Sequence, residues 1–79
     1  MDWIPSAEVD ACGLPCPLPL LRAKKGLAEL VAGEVLCVRA TDPAAPRDFA
    51  AYADATGHVL ERVEEVEGVF LLYLRKREA

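Results

Sequence analysis

The chain has 79 residues, 53% hydrophobic and 28% charged, with a formal charge of −4 from 13 acids against 9 bases. That length allows a single domain, residues 1–79, with a thin core. No apolar run reaches the roughly 18 residues that span a bilayer, and the acidic balance argues against a generic binder of phosphate backbones.

The N-terminal stretch MDWIPSAEVD has neither a basic n-region nor an apolar h-region. No secretory leader is expected, and a cytoplasmic location is. The cysteines, Cys12, Cys16 and Cys37, are odd in number. A disulfide framework normally pairs an even set, so reactive or buried thiols are expected instead. The basic groups Arg22, Lys24, Lys25 and Arg75, Lys76, Arg77, like the acids Glu61, Glu64, Glu65 and Glu67, read as a solvated mixed surface.

Residues 7–11, AEVDA, form a short candidate strand. Residues 17–31, PLPLLRAKKGLAELV, read as a helix. Leu20, Ala23, Leu27, Leu30 and Val31 share one face at helical spacing, widened by Leu21 and Ala28. Arg22, Lys25 and Glu29 point the other way. Gly26 weakens this helix by about 1 kcal/mol relative to alanine, and Gly33 suits a left-handed cap after it. Residues 34–40, EVLCVRA, predict a strand. TDPAAP at 41–46 leads into a second helix that runs to about Thr56, with Phe49, Tyr52, Ala53 and Thr56 on one face and Gly57 as its stop. Residues 59–66 and 69–76 predict two strands joined at Glu67-Gly68 by a tight hairpin.

The order βαβαββ requires parallel neighbours at its start and an antiparallel pair at its end. The expected fold is a two-layer α/β (α+β) sandwich, with a four-stranded mixed sheet and two helices on one face. The last strand is apolar at nearly every position from Val69 to Leu74, which suits a central strand or a second face that meets a partner.

The chemistry concentrates at Cys12-Gly13-Leu14-Pro15-Cys16-Pro17-Leu18-Pro19. With Cys16 at the N-cap, Pro17 takes the first helical position, where its missing N–H costs nothing. Pro15 and Pro17 stiffen the residues before them. The helix dipole then points at the Cys16 sulfur and favours thiolate. Pro17 and Pro19 leave only the Leu18 N–H free in that turn. The expectation is an exposed, activated nucleophile with few backbone donors, suited to accepting and releasing a group. Leu18 falls on the polar side of the helix, exposed beside the sulfur.

Asp10-Ala11-Cys12-Gly13-Leu14-Pro15-Cys16-Pro17-Leu18-Pro19 resembles the signature of the TusA/SirA-like sulfur-carrier family, in which an acidic residue and Gly-Leu precede Cys-Pro-x-Pro. Gly33-Glu34, Asp42-Pro43-Ala44, Arg47-Asp48 and Gly57-His58 also fall where the family has similar residues, so the resemblance spans nearly the whole chain. It implies a sulfurtransferase that carries sulfur as a persulfide on Cys16, with Gly13, Leu14, Pro17 and Pro19 shaping the motif. It implies a cysteine desulfurase or rhodanese-like donor and an acceptor protein, in tRNA thiolation, cofactor biosynthesis or sulfur oxidation. Beyond the covalent sulfur, no cofactor is expected. The implied fold is the sandwich reached above, and it is similar to the C-terminal domain of a bacterial translation initiation factor.

Leu18, Arg22, Lys25, Asp42 and Arg47 are candidate contacts to a partner or an anion. Arg47 sits near the start of the second helix, where a cation is disfavoured, and either steers an acidic group or pairs with Asp42 or Asp48. Cys12 departs from the common family pattern; it is either an incidental small residue or a thiol that resolves an oxidised Cys16. Cys37, mid-strand, reads as a core filler, and His58 as an exposed histidine. The cysteine and histidine spacing does not fit a zinc site. Two other functions stay open: an RNA-binding module of the initiation-factor-like fold, and a thiol redox switch through Cys12 and Cys16.

Overall fold

The computed structural model describes residues 5–78; the first four residues of the acidic N-terminal stretch lie outside them. Six elements follow in order: β1 (Ala7–Ala11), α1 (Leu18–Ala28), β2 (Val35–Ala40), α2 (Ala45–Thr56), β3 (Val59–Val66) and β4 (Val69–Arg75). The strands form one sheet in the order β1-β2-β4-β3. β1 runs parallel to β2, with Ala11 beside Ala40, and β4 pairs antiparallel with both β2 and β3. The fold is the expected two-layer sandwich, and the apolar last strand is central.

Side-chain alternation decides which face is buried. Ala11 of β1, Leu36, Val38 and Ala40 of β2, and Leu72 and Leu74 of β4 turn towards the helices. They meet Ala23 and Leu27 of α1 and Ala45, Phe49 and Ala53 of α2. Phe49, Leu36, Leu72 and Leu74 are fully buried. Gly26, a cost to helix propensity, has a packing reason: a Cβ there would stand 3.1 Å from both Leu36 Cδ atoms and from Val9 Cγ2. Glycine lets α1 lie close on β1 and β2.

Several expectations for α1 need correction. The helix starts at Leu18 with Pro17 as N-cap, and it ends at Ala28. Its buried side chains are Pro19, Ala23 and Leu27. Leu20 and Leu30 are half-buried, but Leu21 and Val31 are exposed, as is Ala28. With the helix ending at Ala28, Val31 no longer has the helical phase that put it on the apolar face. Gly33 has the expected positive φ of 88°, but it stands five residues past the last helical one and turns the chain into β2.

Cys37 is buried, as expected of a core filler, but on the other side of the sheet. It lies between Leu36 and Val38, which face the helices, and it pairs across the sheet with Tyr73. The helix-free face is a mixture of apolar and ion-paired groups. Arg39 meets Glu8 at 2.9 Å, Arg75 Nε meets Glu61 at 2.7 Å, and Arg62 pairs with Glu64. Glu61 sits at an irregularity between Leu60 and Arg62 in the β3–β4 pairing. The hairpin is as tight as expected: Glu67 and Gly68, at φ 51° and 82°, form the two-residue turn between Val66 and Val69.

The C-terminal cations are not merely solvated. Lys76 Nζ donates to the Leu30 carbonyl at 2.6 Å and Arg77 Nη1 to the Thr56 carbonyl at 3.0 Å. Each satisfies a carbonyl at or just past a helix C-terminus, where cations are favoured. No helix among the described residues is long and apolar enough to cross a membrane.

Candidate functional site

Parallel pairing of β1 and β2 brings their C-terminal ends together, so the loop leaving Ala11 lies beside the loop leaving Ala40. Two side chains of the second loop hold the backbone of the first. Gly13 N–H donates to Thr41 Oγ1 at 2.9 Å, and Cys16 N–H donates to Asp42 Oδ2 at 2.8 Å. Asp42 Oδ1 accepts the Ala44 N–H at 3.0 Å, and the Asp42 carbonyl accepts the Ala45 N–H at 2.9 Å. One aspartate thus ties the Cys16 loop to the start of α2. Leu14 is half-buried and packs on the core, anchoring the same loop from below.

Cys16 precedes the N-cap of α1 rather than forming it, and the Cys16–Pro17 peptide bond is cis. The Leu18 N–H donates to the Pro15 carbonyl at 2.9 Å, so the one free donor expected in that turn is already used. Cys16, Pro17, Pro19, Leu20, Asp42, Ala45, Asp48 and Phe49 line a narrow crevice with no room for a water molecule. Phe49 therefore belongs both to the core and to the wall beside Cys16.

For the free thiol, the neighbouring carboxylates oppose the thiolate activation expected from the helix dipole. Asp48, as hydrogen-bond acceptor, pushes the Cys16 thiol above its ordinary range; burial and the charges of Asp48 and Asp42 add to this, and Arg47 opposes it. The dipole argument considered α1 alone, whereas Cys16 shares its crevice with Asp48 in the acidic first turn of α2.

The predicted residues divide into two groups. Asp42 and Arg47 gather at Cys16. Arg22 and Lys25 line a separate groove beside β1 with Glu8 and Asp10. Leu18 is 41% and Leu21 55% exposed on α1. Cys12 is exposed, and its N–H donates to Asp10 Oδ1 at 3.0 Å. Burial, followed by Asp10, raises its thiol, and Arg39 lowers it. His58 is half-buried rather than exposed: its Nδ1 accepts the Arg77 N–H at 3.0 Å and its ring lies 5.8 Å from that of Tyr52.

Sequence reasoning missed Thr41; it noted Asp48 in the family-like Arg47-Asp48 pair and as a possible partner for Arg47, but not as a neighbour of Cys16. The parallel β1–β2 pair was a usable signal for Thr41, because it predicts that residues just past Ala11 and Ala40 meet. Asp48 carried no such signal, since an acid in the first turn of a helix is ordinary.

Comparison with known proteins places this geometry. The family profile described as sulfurtransferase TusA matches residues 7–76. A protein of Neisseria meningitidis serogroup A is 51% identical over 72 residues, covering 91% of this chain and 97% of its own. The sulfur carrier protein TusA of Allochromatium vinosum is 49% identical over 69 residues, covering 87% and 91%. The crystal structure of a SirA-like protein from Desulfitobacterium hafniense superposes with a TM-score of 0.78 at 34% identity, covering 91% of this chain and 99% of that one.

Proposed function

Because the chain belongs to the TusA sulfurtransferase family, whose members are sulfur carriers, we propose that it holds sulfane sulfur as a persulfide on Cys16. It receives that sulfur from a cysteine desulfurase or rhodanese-like protein and passes it to an acceptor protein in the cytoplasm. The onward route is tRNA thiolation, cofactor biosynthesis or sulfur oxidation. The observation that carries this reading is the placement of Cys16: exposed, yet fixed by the 2.8 Å bond from its N–H to Asp42. A carrier needs a sulfur that protrudes and does not wander.

Loading is an exchange without net oxidation. Cys16 Sγ attacks the outer sulfur of the donor persulfide. A new S–S bond forms as the donor's own breaks, the electron pair leaves on the donor thiolate, and the Cys16 proton ends on that thiolate. Discharge to a protein thiol repeats the exchange from the loaded side. Exposed Leu18 and Leu21 on α1 provide apolar contact for a docking protein, and Arg47 offers a cation near the sulfur.

RNA binding finds less support. The cations Arg39, Arg62 and Arg75 on the helix-free face are each paired with a carboxylate, so that face is not a basic stripe. For a Cys12–Cys16 redox switch the structure offers two exposed free thiols with no disulfide between them.

Incubation with a cysteine desulfurase and cysteine should add one sulfur atom to the chain, read by intact-mass spectrometry. A Cys16→Ser variant that takes up sulfur equally well would refute the assignment.

A further inference from the structure

Two carboxylates on neighbouring segments stand beside Cys16. Asp42, in the β2–α2 loop, is bonded to its N–H at 2.8 Å, and Asp48, in the first turn of α2, lines the same crevice as Cys16. The other walls, Pro17, Pro19, Leu20, Ala45 and Phe49, carry no charge. The Cys16 N–H and the Leu18 N–H both have acceptors elsewhere, so neither is left to stabilise a sulfur anion. Among the described residues, Arg47 is the cation that opposes the two carboxylates at the thiol.

We propose that Asp42 and Asp48 bracket the unloaded Cys16 and hold it as a neutral thiol, which keeps the empty carrier slow towards soluble electrophiles. The functional meaning rests on Cys16 being the sulfur-bearing residue. Loading changes the balance. The outer sulfur of a persulfide stands about 2 Å beyond Cys16 Sγ, farther along the bond from the backbone, and a persulfide is a stronger acid than its parent thiol. The terminal sulfur of the loaded carrier therefore ionises more readily than the empty thiol, which stays quiet towards soluble electrophiles and attacks the outer sulfur that a docked donor presents to it. The exposed cysteine can persist unloaded without being consumed by side reactions, because the thiolate is the reactive species.

The test is the pH dependence of Cys16 alkylation by iodoacetamide in the full chain, read on the Cys16 peptide so that Cys12 and Cys37 are scored separately. The unmodified chain should show a midpoint above the ordinary thiol value of about 8.5. Asp48→Asn and Asp42→Asn should each lower that midpoint, Asp48→Asn more, and raise the rate at neutral pH several-fold. Asp48→Glu, which keeps the charge, should stay closer to the unmodified chain than Asp48→Asn does.

A midpoint at or below the ordinary value in the unmodified chain overturns the proposal, and this measurement needs no variant to fold. An Asp48→Asn midpoint equal to that of the unmodified chain overturns it too. Sulfur uptake measured on the same samples separates the two readings. Midpoints as expected with no uptake on Cys16 refute the carrier function and leave the bracket standing; uptake with an ordinary midpoint refutes the bracket alone.

Discussion

The carboxylate of Asp42 accepts the backbone N–H of Cys16 at 2.8 Å, across the gap between two loops that are 26 residues apart in sequence. The same carboxylate holds the Ala44 N–H ahead of α2. Replacing it with alanine removes both acceptors. Asp42→Ala should destabilise the chain by about 1 kcal/mol and accelerate amide hydrogen exchange at Cys16. Asp42→Asn, which retains an acceptor oxygen, should lie between the two. Urea denaturation and exchange mass spectrometry check both; unchanged exchange at Cys16 in Asp42→Ala would show that the loop is fixed by other contacts.

Gly26 opposes two effects of known size. Alanine in a helix interior gains about 1 kcal/mol over glycine. Here the new methyl would meet Leu36 and Val9 at 3.1 Å, and overpacking costs about 1–3 kcal/mol. Gly26→Ala is expected to be destabilising by about 1 kcal/mol in urea melts. A stabilised variant would mean that Leu36 yields at no cost.

Lys76 joins the last strand to the end of α1 through the Leu30 carbonyl. Lys76→Met keeps the aliphatic stem and loses the donor. A loss of about 1 kcal/mol is expected, without change in sulfur uptake, because this contact and Cys16 belong to opposite ends of α1. Parallel denaturation and uptake assays test the separation.

His58 makes stability depend on pH in a definite direction. Its Nδ1 accepts the Arg77 N–H, and burial, followed by the charges of Arg77 and Lys76, holds its folded-state pKa below the usual histidine value. The unfolded chain therefore takes up the proton more readily. The His58 contribution is complete above the unfolded value of about 6.5 and is lost as pH falls from there through the folded value. Urea midpoints should fall between pH 7.5 and pH 5.5 (test conditions of about one unit either side of that value), and His58→Gln should flatten the fall. A His58→Gln profile parallel to that of the unmodified chain would assign the drop to carboxylates instead.

Much of the molecule was legible because local signals agreed. Gly57, and the pair Glu67-Gly68, occupy positive φ where turn chemistry placed them, and Phe49 and Ala53 are buried on the predicted face of α2. The end of α1 was not legible. Leu30 and Val31 continue the apolar pattern, yet the helix stops at Ala28 and the Glu29 and Leu30 N–H groups close tighter turns onto Gly26 and Leu27. Cys16 was singled out by its motif, but its electrostatic surroundings were not legible. A one-helix argument pointed the dipole of α1 at the sulfur, whereas chain folding also brings Asp48 and Asp42 beside Cys16, and these push its thiol the opposite way. The sign of the shift followed the tertiary neighbours.

The central claim is that transferable sulfur resides on Cys16. Its most direct test is isotope-labelled sulfur delivered by a cysteine desulfurase, mapped to individual cysteine peptides and then chased with an acceptor protein thiol. All label should appear on the Cys16 peptide and leave it during the chase. Label on Cys12 or Cys37 instead, or label on Cys16 that no acceptor removes, would contradict the account.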